Sequence, residues 1–181
     1  MKNKEYYNRV YTTSEKYKQH YEDIMYFPLY KLVLTKLNRH DRIFELGCGS
    51  GHLAHMLKDN DFNNYVGADF SSVAIAQAKE RTDQLFFEQD ILQNNIWVNY
   101  DIIIATEVFE HLYYEKVLEK LNKGTQIVFS VPNFLCDSHI YSWQNEQSIR
   151  NDFEKYINII TIEIAMTRKE KKWFLINGFI K

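Results

Sequence analysis

The chain has 181 residues, of which 45% are hydrophobic, and a formal net charge of −2. This length and composition predict one globular domain with a sizeable core, and they exclude a disordered chain. The near-neutral charge gives no support to a strongly basic surface that would bind nucleic acid.

The first segment, residues 1–38, is rich in tyrosine. Seven of the 13 tyrosines lie there, namely Tyr6, Tyr7, Tyr11, Tyr17, Tyr21, Tyr26 and Tyr30. They alternate with charged residues, which predicts amphipathic helices whose aromatic rings pack inward while their hydroxyl groups reach water. We therefore expect a helical cap at the N-terminus.

A glycine-rich turn follows the first predicted strand. The strand around Ile43 to Leu46 runs directly into Gly47, Gly49 and Gly51, after which a helical pattern begins. Glycine is favoured in such a turn because a side chain would keep the backbone away from a bound ligand. The spacing G-x-G-x-G predicts a nucleotide-binding turn. It differs from the G-x-G-x-x-G of nicotinamide dinucleotide enzymes, which remain a distant alternative.

Acidic or hydroxyl side chains end three further predicted strands. Asp69 ends the strand that begins at Tyr65, Asp90 ends the strand that begins at Leu85, and Thr106 and Glu107 end the strand that begins at Asp101. Because ligands of open α/β sheets bind outside the carboxyl ends of the strands, these side chains are expected to surround one ligand. A carboxylate in the position of Asp69 could accept hydrogen bonds from a ribose diol.

The remaining pattern alternates helices and strands. Helices are expected over 51–58, over 71–81 with Ser71 as N-cap, over 114–121 and over 145–156. Further strands are expected over 126–131, 157–167 and 172–180, with a loop over 134–143. The order predicts an α/β, Rossmann-like three-layer sandwich with a mainly parallel seven-stranded sheet and a C-terminal antiparallel hairpin.

In these motifs the chain resembles the class I S-adenosylmethionine-dependent methyltransferases, from about Ile43 to Asn133. The run Glu45 to Gly51 is similar to the first motif of that family, and Ala105 to Leu112 is similar to its fourth. Asp69 matches the ribose-binding acid and Asp90 the acid on the adenine side. The resemblance implies one methyltransferase domain over 1–181, divided into a helical lid (1–38), a cofactor-binding core (39–133) and an acceptor side (134–181).

The resemblance also implies a cofactor site for S-adenosylmethionine, with S-adenosylhomocysteine as the product. Phe70 and Ile91 would flank the adenine, while backbone near Gly47 and Thr106 would meet the methionine portion. The N-terminal cap would fold over the cofactor as a lid, with Tyr17 or Tyr21 touching the methionine end. The expected cofactor residues are Glu45, Gly47, Cys48, Gly49, Gly51, Asp69, Phe70, Asp90, Ile91, Thr106, Glu107, Tyr17 and Tyr21.

Catalysis by such an enzyme needs an aligned acceptor and, for some acceptors, a base. The candidate catalytic residues are Glu107, His111 and His139, and Glu110 is a further candidate base. Structural roles are the alternative for Glu107, which could complete a backbone network, and for His111, which could open a helix. His139, Tyr141, Trp143 and Arg150 lie where acceptors enter in this family.

A metal site is an alternative to a metal-free mechanism. Glu107, Glu110, His111 and His139 offer two carboxylates and two imidazoles that could bind Mg²⁺ or Mn²⁺. This set is similar to the E-x-x-E-H pattern of small-RNA 3′-terminal 2′-O-methyltransferases. The same pattern also occurs in ordinary methyltransferases, and the chain shows no basic stripe for RNA.

The resulting expectation is methyl transfer to a small-molecule acceptor by in-line displacement. The alternatives are a methyltransferase acting on RNA or another macromolecule, and a noncatalytic cofactor-binding or activating subunit. With only Cys48 and Cys136, no secretory h-region and no run of about 18 apolar residues, we expect a cytoplasmic protein without membrane association. The acceptor and the oligomeric state are left open.

Overall fold

A seven-stranded mixed sheet forms the centre of the computed structural model, which describes residues 1–93 and 99–181. Its strand order is β3-β2-β1-β4-β5-β7-β6. The strands are β1 (Ile43–Leu46), β2 (Tyr65–Asp69), β3 (Leu85–Glu88), β4 (Ile102–Ala105), β5 (Gln126–Pro132), β6 (Ile157–Arg168) and β7 (Lys171–Ile180).

The middle of the sheet is parallel. Strands β1 and β4 consist wholly of buried residues, as continuous apolar strands covered on both faces should. Phe44 of β1 lies between Val66 of β2 and Ile103 of β4, and all three strands run in the same direction. The strand order reverses between β1 and β4, so their carboxyl ends form the switch point at which ligands of such sheets bind.

Helices cover both faces of the sheet. They are α1 (Lys4–Thr13), α2 (Phe27–Leu34), α3 (His52–Asp59), α4 (Ser72–Arg81), α5 (Glu115–Leu118) and α6 (Glu146–Phe153). Ser71 is the N-cap of α4 as predicted and accepts a hydrogen bond from the Ala74 amide. Asn145 caps α6 in the same way and accepts one from the Ser148 amide. None of the helices in the described ranges is long and apolar enough to cross a membrane.

Two apolar clusters hold these layers together. On one face, Leu29 and Val33 of α2 and Leu53 and Leu57 of α3 pack with strand residues such as Ile104. The other face buries large aromatic side chains from the segments after β4 and β5 and from α6: Phe109, Tyr114, Phe129, Trp143 and Phe153. The predicted three-layer α/β fold is therefore confirmed.

The C-terminal hairpin pairs β6 with β7, and β7 also pairs with β5, in both cases antiparallel. Two predicted helices were too long: the helix expected over 114–121 is α5, which ends at Leu118, and the helix expected over 145–156 is α6, which ends at Phe153. After α5 the backbone continues with tighter turns, because the Lys120 and Leu121 amides donate to the carbonyls three residues earlier. Residues 134–143 form the expected loop.

Candidate active site

The glycine turn lies at the carboxyl end of β1, where the sequence predicted it. Gly47, Gly49 and Gly51 all have positive φ angles, of 67°, 54° and 77°. A Cβ on Gly51 would lie 2.9 Å from the Cβ of Ala78 in α4. A Cβ on Gly49 would lie 2.8 Å from the hydroxyl oxygen of Tyr11 in α1. The turn therefore needs glycine both for its backbone angles and for close packing of the helices around it.

Asp69 ends β2 beside this turn and is 6% exposed. Its Oδ2 accepts a hydrogen bond from the Gly49 amide (3.0 Å), and its Oδ1 accepts one from the Ser71 amide (2.8 Å). Burial raises the pKa of the carboxyl group to about 6, although these two hydrogen bonds act in the opposite direction. The glycine turn and the end of β2 are thus joined by one carboxylate that retains unused lone pairs.

Asp90 follows β3, and its carboxylate caps the next turn. Oδ1 accepts from the Leu92 amide (2.9 Å), and Oδ2 accepts from the side-chain amide of Gln93 (2.8 Å). The next residue, Ile91, is buried, and Phe70 after β2 is partly buried. An apolar side chain thus directly follows each of the two acids: Phe70 follows Asp69, and Ile91 follows Asp90.

Glu45 and Cys48 are buried within the same edge. The Tyr65 hydroxyl donates to Oε2 of Glu45, yet burial still raises the pKa of that carboxyl group to about 8. The Cys48 amide donates to the Ala68 carbonyl (3.0 Å), and burial raises the pKa of the Cys48 thiol. These contacts tie β1 and its turn to β2, so both side chains have a packing role in the structure.

Thr106 and Glu107 follow β4. Thr106 is buried, and Glu107 has a positive φ of 58°. The Ser130 hydroxyl donates to Oε1 of Glu107 (2.9 Å), and the Trp173 indole donates to Oε2 (2.8 Å). Burial raises the pKa of this carboxyl group to about 7. Glu107 therefore links the end of β4 to β5 and β7 in one fixed orientation.

Glu110, His111 and His139 come together next to it. Each offers one ligand atom, and these atoms all lie within 4.8 Å of one another. Glu110 is fully buried, which raises the pKa of its carboxyl group, and burial lowers the pKa of His111 to about 4. Burial also lowers the pKa of His139, so both imidazoles are neutral near pH 7. Glu107, which the sequence placed in the same metal set, is outside this group of three.

Helix α1 lies over the edge formed by these residues. Tyr7 packs edge-on against Phe70 (5.3 Å between ring centroids) and against His111 (5.9 Å). The Ser71 hydroxyl donates to the side chain of Asn8 (2.6 Å). Tyr11 lies above Gly49, as described. The sequence analysis named Tyr7 and Tyr11 among the tyrosines of the cap but did not assign them to the cofactor site. Their helical spacing places positions 7, 8 and 11 on one face.

The two tyrosines that the sequence did single out, Tyr17 and Tyr21, lie in different places. The Tyr17 ring packs against Tyr11 (4.5 Å), one ring further from the glycine turn. The Tyr21 hydroxyl donates to Asp59 (2.8 Å), the last residue of α3, at the opposite end of that helix from the turn. Because of this position we leave Tyr21 out of the proposed cofactor site.

Arg81, at the end of α4, holds the N-terminal segment to the glycine turn. Its guanidinium group donates to the carbonyls of Ser50 (2.9 Å), Gln19 (2.8 Å) and Tyr17 (2.6 Å). Three other residues were expected on the acceptor side, and all three contact parts of the scaffold. Tyr141 packs edge-on against Tyr114 (5.2 Å between ring centroids). The indole of Trp143, a buried side chain, donates to Asp152 (2.9 Å), and Arg150 pairs with Glu146 and Glu154 on its own helix.

Comparison with known proteins gives a family for this arrangement. Residues 18–163 match a family model described as a methyltransferase domain. Nodulation protein S of Azorhizobium caulinodans is 31% identical to the chain over 108 residues, which cover 53% of this chain and 52% of that protein. The match thus spans about half the length of this curated relative.

Solved structures share the fold. The N-methyltransferase NodS of Bradyrhizobium japonicum, in complex with S-adenosylhomocysteine, has a TM-score of 0.76 at 16% identity, covering 98% of this chain and 97% of that chain. The magnesium protoporphyrin IX methyltransferase ChlM of Synechocystis, with bound S-adenosylmethionine, has a TM-score of 0.64 at 18% identity, covering 84% and 76%. At these identities the likeness is one of fold.

Proposed function

The chain belongs to the methyltransferase domain family, as its motifs predicted, and from this premise we propose that it transfers a methyl group from S-adenosylmethionine to a small-molecule acceptor. The observation that carries the proposal is the junction of Asp69 and the glycine turn at the switch point of the sheet. NodS and ChlM, with which the fold is shared, bind S-adenosylhomocysteine and S-adenosylmethionine in their crystal structures.

The residues present fit this cofactor. A ribose diol needs a carboxylate with free lone pairs, which Asp69 keeps after accepting its two amide hydrogen bonds. An adenine ring needs apolar neighbours, for which we propose Phe70 and Ile91, with Asp90 at its edge. The methionine portion needs close approach to the backbone, which Gly47 and Gly49 allow because they carry no Cβ. Tyr11, above Gly49, would border the bound cofactor.

When bound, S-adenosylmethionine supplies a methyl group on a positively charged sulfur. The work of the protein is then to hold the acceptor in line and to exclude water. We propose that α1 forms the lid that excludes water, with Tyr7 facing Phe70 and His111. Glu107, His111 and His139 remain the predicted groups that act on the acceptor. Glu107 holds its orientation through Ser130 and Trp173.

A small acceptor fits the enclosure of this edge. The α1 helix covers it from one side, and the loop 134–143 brings His139 to it from the other. ChlM by its name acts on a porphyrin, which is a small molecule, and this supports the same class of acceptor here. Two free thiols, Cys48 and Cys136, fit a reducing compartment, for which we propose the cytoplasm.

The test is transfer of a labelled methyl group from S-adenosylmethionine into cell extract separated by molecular size. We expect label in the low-mass fraction with the wild-type protein and at least tenfold less with Asp69→Ala. Asp83→Ala is the matched control, because Asp83 is exposed, pairs with Lys58 and lies just before β3, at the other edge of the sheet. Label that appears only in RNA or protein would contradict the small-molecule acceptor. No transfer from a protein that binds the cofactor would favour an activating subunit.

A further inference from the structure

The carboxyl group of Glu110 has no hydrogen-bond partner in the described part of the chain. The residue is 0% exposed, and both carboxylate oxygens are buried without a donor. A buried charge that lacks a partner costs several kcal/mol, so natural proteins pair such groups or coordinate them to a metal. A carboxyl group in this setting is stabilised either by taking up a proton or by binding a cation.

Both neighbouring imidazoles present an unprotonated nitrogen. Nδ1 of His111 lies 3.0 Å from the carbonyl oxygen of Ser138, and Nδ1 of His139 lies 3.0 Å from that of Phe134. A carbonyl oxygen only accepts hydrogen bonds, so each Nδ1 carries the proton and each Nε2 has a free lone pair. Histidines that bind metals are oriented in this way, with the other ring nitrogen donating to a carbonyl or carboxylate.

The His111 ring lies beside the buried carboxyl group of Glu110, and the His139 ring lies beside that of His111. Nε2 of His111 lies 3.7 Å from Oε1 of Glu110, and the rings of His111 and His139 are 4.9 Å apart and inclined at 75°. The loop that carries His139 is fixed to the same point, because the Ile140 amide donates to the backbone carbonyl of Glu110 (2.7 Å). Three groups that can each bind a cation thus lie within 4.8 Å of one another.

We propose that Glu110, His111 and His139 bind one divalent transition-metal ion beside the acceptor. One carboxylate oxygen and two imidazole nitrogens suit Mn²⁺, Fe²⁺, Co²⁺ or Zn²⁺ better than Mg²⁺, which prefers oxygen ligands alone. Ligand atoms bound at about 2.0–2.2 Å lie about 3.3–3.6 Å apart in tetrahedral geometry. Nε2 of His111 and Oε1 of Glu110 are already 3.7 Å apart, and all three ligand atoms lie within 4.8 Å, so the group needs only a small contraction. Glu107 takes no part, because it is not among the residues whose ligand atoms lie within 4.8 Å of one another.

The site deepens the proposed function and rests on it. Three protein ligands leave coordination positions open, as in catalytic rather than structural metal sites. An acceptor that carries a hydroxyl or carboxylate oxygen could fill such a position and be held for methyl transfer. In this site the Nε2 atoms of His111 and His139 bind the ion. They do not then act as bases that remove a proton from the acceptor.

The test is calorimetric titration of the chelator-treated protein with Co²⁺ alone, together with its visible absorption spectrum. A second cluster, formed by His20, His55 and Asp59 on another surface, also has metal-ligand spacing. His55→Gln is therefore the matched control. We expect one Co²⁺ per chain in the wild type and in His55→Gln, and at least tenfold weaker binding in both His139→Gln and Glu110→Gln.

The proposal is overturned if the wild-type protein binds no Co²⁺, or if binding survives in His139→Gln and is lost in His55→Gln. Affinity for S-adenosylhomocysteine, measured separately on the same samples, reports on the cofactor site. Loss of Co²⁺ binding with intact S-adenosylhomocysteine binding in His139→Gln shows that this variant is folded. A wild-type protein that fails to bind S-adenosylhomocysteine contradicts the proposed function. The Co²⁺ titration then still decides whether the three residues bind a metal ion.

Discussion

Substitution of Gly51 by alanine tests whether the glycine turn is held by close packing as well as by its backbone angles. Gly51 has a φ of 77°, and an added Cβ would lie 2.9 Å from the Cβ and 3.0 Å from the Cα of Ala78. Gly124 provides the matched control, because its φ is 84° and, apart from its chain neighbours, no atom of the described residues lies within 4 Å of an added Cβ. The two substitutions share the conformational penalty and differ in the steric one.

The expected magnitudes follow from these two terms. A left-handed conformation costs alanine about 1–2 kcal/mol, and this applies to both variants. Overpacking adds about 1–3 kcal/mol in Gly51→Ala alone, because the Cα of Ala78 belongs to the backbone of α4 and cannot rotate away. Gly51→Ala should therefore be less stable than Gly124→Ala by about 1–3 kcal/mol. For a chain of this size the difference corresponds to roughly 2–12 °C in Tm.

Urea unfolding followed by circular dichroism measures the difference, and thermal melting gives an independent value. The affinity of each variant for S-adenosylhomocysteine should follow the same order, since only Gly51 lies in the cofactor turn. Equal stability of the two variants would refute the packing argument. It would mean that α4 moves away from the turn without cost.

Three further predictions concern charges and hydrogen bonds of the site. Burial raises the pKa of Asp69 to about 6, so its carboxylate takes up a proton as the pH falls through 6. Binding of S-adenosylhomocysteine should therefore weaken about tenfold from pH 7.5 to pH 5. A flat pH profile identical to that of Asp69→Asn would contradict this role. Arg81→Met removes three hydrogen bonds to backbone carbonyls and should lower the free energy of unfolding by about 1.5–3 kcal/mol. Amide hydrogen exchange over residues 14–20 should become faster in this variant. Unchanged exchange, which is the result expected for the control Lys79→Met, would contradict the prediction. Tyr65→Phe removes the hydrogen bond from the Tyr65 hydroxyl to the buried carboxyl group of Glu45 and leaves the one from Thr106. It should lower the free energy of unfolding by about 1–3 kcal/mol in urea titrations. A change below about 0.5 kcal/mol, the typical size for a surface substitution, would show that the bond is dispensable.

Much of the fold could be predicted because its signals are local. The buried strands β1 and β4 are short apolar runs between turns, and Ser71 and Asn145 cap their helices through atoms three residues away. Asp69 could be placed because a strand and its final residue share one short segment. Periodicity alone overestimated the helix after Tyr114, since tight turns can bury the same apolar side chains.

The rest of the site depends on contacts between distant segments. Glu107 is fixed by Trp173, which lies 66 residues further along the chain. The position of Tyr11 above Gly49 depends on the path of the whole N-terminal segment across the sheet, which no single motif encodes. Two features of the proposed metal site also depend on such contacts. Glu107 lies outside the group of possible ligands, and the buried Glu110, whose carboxyl oxygens have no hydrogen-bond partner in the described residues, lies beside two imidazoles.

The most direct test of the cofactor proposal is calorimetric titration of the wild-type protein and of Asp69→Ala with S-adenosylhomocysteine, with NADH as a comparison ligand. We predict one binding site per chain for S-adenosylhomocysteine and none for NADH. Loss of hydrogen bonds to a charged group of about 1.5–3 kcal/mol predicts that Asp69→Ala binds roughly 10- to 150-fold more weakly. A folded wild-type protein that does not bind S-adenosylhomocysteine, or an Asp69→Ala variant with unchanged affinity, would contradict the account.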